Sequence, residues 1–195
     1  MAASRGLCSV WAVTDTPVLM VGYGLREVDE LIELLRAQGV EYLGDVRSVP
    51  FSRHRPAFSK ANLERALRDA NIRYVFLGDT LGGRPADPAC YDEDGHVDYA
   101  RCRTNPAFET GIERVRSAAA DGHRLVLMCS EARPTDCHRT KLLAEMLVER
   151  GVQVQHLDEH GELVEHAEIA ARLRGPQLSL IADGLGRSRR PYRAA

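Results

Sequence analysis

The sequence lacks any apolar run close to the roughly 18 residues that a membrane-spanning helix needs. Its start, residues 1–17, holds only the brief apolar stretch Val10-Trp11-Ala12-Val13. A clear basic beginning and a long apolar centre are both missing, so no secretory signal peptide is predicted. We therefore expect a cytoplasmic protein that does not associate with membranes, preceded by a flexible leader over residues 1–16.

Cysteine is present in an odd number, which argues against a framework of disulfides. The five residues are Cys8, Cys90, Cys102, Cys129 and Cys137. Without an export signal, such a set favours reduced thiols in a reducing compartment. A bridge between Cys90 and Cys102 stays open at this point.

Charge is nearly balanced over the whole chain but uneven along it. The net charge is -2, yet the last twelve residues carry four arginines: Arg187, Arg189, Arg190 and Arg193. Such a tail could contact nucleic acid. Arginine mixed with glycine, serine and proline is also typical of a solvated end that cannot bury a core, and we predict a basic, disordered tail over residues 176–195.

Strand and helix patterns alternate between these ends and predict one domain over residues 17–175. Apolar strands are expected near residues 18–21, 42–46, 72–77, 125–128 and 152–156. Helical spacing lies between them, and crossover helices usually join parallel strands. We therefore predict an α/β fold, with a single doubly wound, mostly parallel five-stranded sheet and helices on both faces. Ser59 is expected to cap the second helix, and residues 78–105 to form a long functional loop.

The richest segment chemically runs from the fourth strand into the next helix. It holds Cys129, Glu131, Cys137, His138 and Arg139 within eleven residues. Ligands of α/β proteins bind at carboxyl ends of strands and amino ends of helices. Cys137 is predicted in the first helical turn, where backbone N–H groups favour a thiolate. The thiols are nucleophiles or redox groups on this interpretation, and small buried apolar residues on the alternative one.

Two known uses of such cysteines fit poorly. Loops of the tyrosine-phosphatase or rhodanese kind require an arginine six positions after the cysteine, where this chain has Thr135. Cys129, Cys137 and His138 could bind zinc with His156 or His160, but their spacing matches no common zinc pattern. No metal site and no cofactor are predicted.

Anion binding and carboxylate chemistry remain as further hypotheses. Glu27 replaces the third glycine that a dinucleotide fingerprint beginning at Gly22-Tyr23-Gly24 would need. Arginines could still hold a phosphate or carboxylate, or could form structural ion pairs with nearby acids. The candidates are Arg47, Arg84, Arg133 and Arg139. Asp45 and Glu131 could instead act as nucleophile and acid on a glycosidic bond, with Tyr23 orienting the substrate.

Four motifs occur together in one order and spacing. They are Val21-Gly22-Tyr23-Gly24, Asp45-Val46-Arg47-Ser48-Val49-Pro50 with Ser52-Arg53, Leu81-Gly82-Gly83, and Cys129-Ser130-Glu131 followed by Cys137-His138-Arg139. Over about residues 17–165 the chain resembles the domain-of-unknown-function 488 (DUF488) family. The resemblance implies a cytoplasmic α/β domain with the motif residues in one pocket, but it implies no activity.

These observations predict an enzyme, a hydrolase or transferase, that acts on a small anionic metabolite of nucleotide-like or phosphorylated character. The catalytic candidates are Cys129, Glu131, Cys137 and Asp45. The substrate-binding candidates are Tyr23, Arg47, Arg53, Gly82, Gly83, His138 and Arg139. Two alternatives stay open: a nucleoside N-glycosidase or deoxyribosyltransferase that uses Asp45 and Glu131, and a non-catalytic module that binds a ligand or nucleic acid.

Overall fold

A single mixed β-sheet organises the protein. The computed structural model describes residues 16–175 and 186–192. The strands are β1 (Val18–Gly22), β2 (Tyr42–Asp45), β3 (Arg73–Phe76), β4 (Leu125–Cys129), β5 (Val154–Leu157) and β6 (Leu163–Glu165). All pairings among β1 to β5 are parallel, which confirms the predicted mostly parallel α/β fold. The predicted number of strands is wrong, because the short β6 folds back and pairs antiparallel with β5.

The strand order is β3-β2-β4-β1-β5-β6, with β4 between β1 and β2. Register places Cys129 beside Gly22 on one side, and Met128 beside Asp45 on the other. Common doubly wound sheets keep the first two strands adjacent. The doubly wound arrangement is therefore not confirmed, and the inserted β4 is what carries Cys129 to the middle of the sheet.

The helices are α1 (Val28–Ala37), α2 (Lys60–Asp69), α3 (Gly78–Leu81), α4 (Tyr99–Arg103), α5 (Pro106–Ala120), α6 (Glu145–Val148) and α7 (His166–Leu173). The predicted helices at α1, α2, α5 and α7 are confirmed. The stretch between α3 and α5 is less irregular than predicted, since it contains α4 and a 3-10 turn at Pro88–Cys90. Within the described residues, no helix combines the length and apolar character that crossing a bilayer requires.

Two hydrophobic clusters lie on opposite sides of the sheet. Met20 and Leu127 pack with residues of α5 in one cluster, whereas their neighbours Val21 and Val126 pack with α1 and α2 in the other. Successive side chains of a strand point to opposite faces, so this alternation separates the clusters. Buried apolar side chains thus clamp the strands from both sides and hold their carboxyl ends in register.

Two local predictions are wrong in detail. Ser59 occupies the position before α2, but its hydroxyl accepts the N–H of Ser52 at 3.2 Å and caps no helical N–H. Cys137 is extended, with φ -116° and ψ 147°, and lies between a 3-10 turn and a π-helical segment at Arg139–Ala144. Its carbonyl accepts the N–H groups of Thr140 and Lys141. Cys137 therefore precedes the helical turn and does not lie in it.

Residues 186–192, the C-terminal strap, lie along the loop at residues 91–98. The N–H of Ser188 donates to the carbonyl of Val97 at 2.9 Å, and the N–H of Val97 donates to the Ser188 hydroxyl at 2.9 Å. Tyr192 donates its N–H to Gly95 at 2.6 Å. This part of the predicted tail is in contact with the domain. The leader at residues 1–15, residues 176–185 and Arg193 lie outside the described residues.

A buried histidine on β5 lies in surroundings that disfavour its protonation. His156 is fully buried and its Nε2 lies 3.0 Å from Nδ1 of His166, which in turn reaches Glu145. Its own Nδ1 is buried without a partner in the described chain. Burial, with the charge of Arg139 and with His166, lowers the pKa of His156 to about 3.

We predict that the free energy of unfolding falls as the pH drops from about 6.5 toward 3. His156 binds a proton in the unfolded chain over this pH range but not in the folded chain. The free energy of unfolding therefore falls by up to about 1.4 kcal/mol per pH unit. Urea unfolding at a series of pH values measures this slope. His156→Gln should reduce the slope of unfolding free energy against pH by an amount that corresponds to about one bound proton. His54→Gln, at an exposed position, should leave the slope unchanged. An unaltered slope in His156→Gln would contradict the assignment.

Candidate functional site

A cleft of about 540 Å³ opens at the carboxyl ends of β1, β2 and β4. Its walls come from six parts of the chain: the strand ends, the loop after β2, the loop after α3, the start of α4, the loop after β4, and the C-terminal strap. The lining residues are Tyr23, Arg47, Ser48, Val49, Phe51, Gly83, Arg84, Tyr99, Cys129, Ser130, Glu131, Asp136, Cys137, His138, Ser188, Arg189, Arg190 and Tyr192. Four arginines and two carboxylates give it a positive excess, although the chain as a whole is at -2.

The loop after β4 crosses directly over the end of β1. The N–H groups of Tyr23 and Gly24 donate to the carbonyls of Cys129 and Ser130, each at 3.1 Å. A Cβ on Gly22 would lie only 1.7 Å from the carbonyl oxygen of Glu131. Glycine is therefore required at the end of β1 for the loop to take this path.

The path of the loop brings the two thiols together. Sγ of Cys129 lies 2.7 Å from Sγ of Cys137, and both residues are free cysteines. Their exposed fractions are 1% and 2%. Burial raises the pKa of Cys129 well above its usual value, against the nearby positive charge of Arg139. Cys129 is therefore a protonated thiol at neutral pH.

His138 offers Cys137 a hydrogen-bond acceptor. Its Nε2 lies 3.1 Å from the carbonyl oxygen of Leu81, which can only accept, so Nε2 carries the proton. Nδ1 then has a free lone pair 3.5 Å from Sγ of Cys137. Burial lowers the pKa of His138, although Cys129, Glu131 and the Leu81 carbonyl oppose the shift. A neutral imidazole beside a thiol is the arrangement of a general base and its nucleophile.

Gly82 and Gly83 allow the loop after α3 to approach this imidazole. A Cβ on Gly83 would lie 2.8 Å from Nδ1 of His138, and one on Gly82 would lie 2.4 Å from Oγ of Ser48. The same Ser48 hydroxyl accepts the N–H of Arg84 at 2.8 Å. The two glycines thus set the position of His138 and of the Arg84 backbone.

Arg139 lies beneath the loop and is fully buried. Its Nη1 donates to Sγ of Cys129 at 2.5 Å and to the carbonyl of Glu131 at 2.7 Å, and Nη2 donates to Ala132 at 3.3 Å. Burial alone would lower the pKa of Arg139, but the sulfurs and Glu131 raise it. The guanidinium therefore holds the loop in place and puts a positive charge at the sulfur.

Glu131 presents its carboxylate to the thiols from the solvent side. Sγ of Cys137 lies 3.4 Å from its Oε2, and the hydroxyl of Ser130 donates to the same oxygen at 3.2 Å. Burial pushes the pKa of Glu131 up, but hydrogen bonds from the two thiols bring it below the usual value. The carboxylate is ionised at neutral pH and cannot act there as a general acid.

Asp45 is buried behind Arg47. Its carboxylate accepts two side-chain bonds from Arg47, at 2.8 and 2.5 Å, and a third from the Tyr74 hydroxyl at 2.8 Å. Burial and the carboxylate of Asp45 raise the pKa of Tyr74. Burial would lower the pKa of Arg47, but the bond and charge of Asp45 raise it. This geometry makes Asp45 the group that orients Arg47.

Arg47 lines the cleft with one unused donor. Its guanidinium lies over the ring of Tyr23 at 5.4 Å, and that ring stacks on Phe58 with centroids 4.1 Å apart. Nη1 of Arg47 is buried and has no hydrogen-bond partner among the described residues. A buried guanidinium nitrogen left without an acceptor favours an anionic ligand.

The C-terminal strap supplies the remaining arginines. Arg189 pairs with Asp136 at 3.0 Å, while Arg84 lies 4.3 Å over the ring of Tyr192. Arg187, one of the arginines that could contact nucleic acid, forms ion pairs with Asp92 and Asp94. Arg190 lines the cleft and has no ion pair in the described chain.

Most of the predicted site residues meet in this cleft. Tyr23, Arg47, Gly83, Cys129, Glu131, Cys137 and His138 line it. Gly82 and Arg139 lie just behind the lining, Asp45 is buried under Arg47, and Arg53 is exposed outside the cleft. Phe51, Tyr99 and Tyr192 were missed, because no spacing pattern connects a strap near the C-terminus with residues 51 and 99. Arg133 is exposed and pairs with Glu159.

Potential metal ligands are also present. Single ligand atoms of Cys129, Glu131 and Cys137 lie within 4.8 Å of one another. The histidines considered as further zinc ligands do not join them, since His156 is bonded to His166 and His160 does not line the cleft. The Arg139 guanidinium already occupies one side of Cys129. Of the histidines that the zinc hypothesis names, only His138 lies beside these ligand atoms, with Nδ1 3.5 Å from Sγ of Cys137.

Comparisons with known proteins agree with the motifs. A family model described as a domain of unknown function, DUF488, matches residues 27–147. No curated protein and no solved structure gives a significant match. The matched region holds both thiols, His138, Arg139 and the Asp45–Arg47 pair, and it spans more than half of the sequence. The chain therefore belongs to the DUF488 family.

Proposed function

We propose that the protein is a thiol-dependent hydrolase or transferase whose nucleophile is Cys137 and whose substrate is a small anionic metabolite. The observation that carries the proposal is the contact between Sγ of Cys137 and the unprotonated Nδ1 of His138, at 3.5 Å. The Leu81 carbonyl fixes the tautomer of that imidazole. Cys129 is less suited to attack, because burial raises its pKa and Arg139 already bonds to its sulfur.

The positive excess of the cleft supports an anionic substrate. Nη1 of Arg47 lacks an acceptor, and Arg190 lacks an ion pair in the described structure. Tyr23 and Tyr192 add aromatic surface next to these charges. A phosphorylated or nucleotide-like molecule offers both an anion for guanidinium groups and a body for aromatic rings. The substrate would then place its anionic group at the arginines and its reactive centre near Cys137.

The chemistry follows from the thiol and the imidazole. Nδ1 of His138 takes the Cys137 proton while the sulfur attacks an electrophilic carbon or phosphorus of the substrate. The leaving group departs with that proton, and a covalent intermediate remains on sulfur. Water or a second substrate, deprotonated by His138, then breaks the bond to sulfur and restores the thiol. Nη1 and Nη2 of Arg139 donate to the carbonyls of Glu131 and Ala132, so they position the loop.

A glycosidase mechanism is the weaker alternative. It would need Asp45 as a nucleophile, but this carboxylate is fully buried and fully engaged with Arg47 and Tyr74. Glu131 alone reaches the cleft, and its lowered pKa does not suit a general acid. The nucleic-acid alternative is also less favoured, because Arg187 and Arg189 pair with acidic residues of the domain.

We predict that iodoacetamide alkylates Cys137 faster than Cys90 or Cys102, and that His138→Gln slows this about tenfold. The glutamine cannot accept the thiol proton as the sulfur attacks. Peptide mass spectrometry over time measures each cysteine separately. His160→Gln, an exposed histidine outside the cleft, serves as the matched control. Equal rates for Cys137 in the wild type and in His138→Gln would remove the proposed base.

Arg190 should select for anionic reagents. Iodoacetate carries a negative charge that iodoacetamide lacks. The rate at which iodoacetate alkylates Cys137, divided by the rate for iodoacetamide, therefore reports on the electrostatic field in the cleft. Arg190→Gln should lower that ratio about threefold, and the ratio should fall with added salt in the wild type. Arg68→Gln, on the exposed side of α2, should leave it unchanged. A rate ratio that changes neither in Arg190→Gln nor with added salt would argue against anion selection.

Turnover tests the proposal directly. Incubation with a panel of sugar phosphates, nucleotides and acyl phosphates, followed by mass spectrometry, should reveal one class that is consumed. Cys137→Ser should then lose about a thousandfold in rate or more, while Glu131→Gln retains measurable activity. The opposite outcome, in which Glu131→Gln abolishes turnover and Cys137→Ser does not, would replace thiol catalysis with carboxylate catalysis. Binding of DNA or RNA without turnover would favour the non-catalytic alternative.

A further inference from the structure

The second thiol has no part in the proposed reaction, although it lies against the nucleophile. The two Sγ atoms are 2.7 Å apart. The residues are eight positions apart in one loop, which Arg139 holds closed through two carbonyls. Two free thiols in contact on a clamped loop are suited to forming a bond.

We infer that Cys129 and Cys137 form a redox couple, in which a hydroperoxide oxidises Cys137 and Cys129 then closes a reversible disulfide. The inference shares Cys137 with the proposed function, but it requires no substrate. It assigns Cys129 as the resolving thiol and makes the site one that oxidants switch off.

The reaction proceeds in two balanced steps. The Cys137 sulfur attacks the outer oxygen of the hydroperoxide, so that the O–O bond breaks and the thiol becomes a sulfenic acid, with an alcohol or water as the other product. His138 passes the thiol proton to that leaving oxygen. The Cys129 sulfur then attacks the sulfenic sulfur, the S–OH bond breaks, and hydroxide leaves as water with the proton of Cys129. Two thiols and one hydroperoxide thus become one disulfide, one alcohol and one water.

The surroundings give the two sulfurs these different roles. Cys137 faces an acceptor nitrogen and the cleft, through which a small oxidant can enter. Cys129 also lines the cleft, but the guanidinium of Arg139 bonds to its sulfur. That positive charge stabilises the thiolate as it forms during the second step, although burial keeps the resting thiol protonated. Oxidation should therefore begin at Cys137.

Cys90 and Cys102 provide an internal control. They are also buried and hydrogen-bonded to each other, and burial raises the pKa of both. Their charged neighbours include Asp87 and Asp98, which oppose a thiolate instead of favouring one. This pair should stay reduced under conditions that oxidise the couple in the cleft.

The experiment treats the reduced full-length protein with a small excess of hydrogen peroxide and blocks free thiols with N-ethylmaleimide. Trypsin then releases residues 125–139 as one peptide, because Arg133 precedes proline and resists cleavage. We expect this peptide to lose the mass of two hydrogen atoms and to take up no maleimide. Dithiothreitol should restore both thiols, and the pair at 90 and 102 should react at least about tenfold more slowly.

Variants separate this inference from the proposed function. In Cys129→Ser, Cys137 should still react with iodoacetamide, but peroxide should carry it past the sulfenic acid to products that dithiothreitol cannot reverse. The inference is overturned if the wild-type peptide gains oxygen without losing hydrogen, or if both thiols stay free at doses that oxidise Cys90. A disulfide in a protein whose His138→Gln variant alkylates normally would support the couple and contradict the proposed catalytic base. The wild-type peptide decides the question even where a variant folds poorly.

Discussion

The missing side chain at Gly22 is the constraint on which the cleft depends. A Cβ there would meet the backbone carbonyl of Glu131 at 1.7 Å and Nη1 of Arg139 at 2.7 Å. Backbone atoms cannot move aside as a flexible side chain can, so any larger residue would displace the loop. With glycine in place, the loop lies over the end of β1 and returns Cys137 to Cys129. The return of Cys137 to Cys129 thus depends on one absent methyl group on a neighbouring strand.

Two buried guanidinium groups lie at the base of the cleft, and their partners differ in kind. Arg47 is matched by a buried carboxylate, so its charge is largely neutralised and its geometry is rigid. Arg139 is bonded to a sulfur and two carbonyls, none of which carries a full negative charge when Cys129 is protonated. Burying such a cation costs several kcal/mol unless polar groups surround it. The fold therefore maintains a positive potential at the sulfur, which aids any step that puts negative charge there.

Sequence patterns could predict the convergence of the site, because it follows from parallel strands with polar residues at their carboxyl ends. That logic placed Tyr23, Arg47 and Cys129 at one edge correctly, and the family was recognisable from the motifs alone. It could not reveal that Asp45 turns inward to Arg47, since a carboxylate two residues from an arginine fits either role. The contact between the C-terminal strap and the domain could not be predicted either, because Gly95 and Val97 contribute only backbone groups to its hydrogen bonds. Backbone pairing between distant loops leaves no pattern of residue types to recognise.

The directions of the hydrogen bonds explain why two adjacent thiols need not behave alike. Arg139 can only donate, so the proton of Cys129 must point elsewhere, toward the Glu131 carbonyl or the other sulfur. The proton of Cys137 has two better acceptors, Nδ1 of His138 and Oε2 of Glu131. His138 can act as a general base toward the proton of Cys137, whereas the fixed donor beside Cys129 stabilises that sulfur once it is charged. The loop thus distinguishes an initiating sulfur from a responding one, and either the proposed transfer reaction or the oxidation would begin at Cys137.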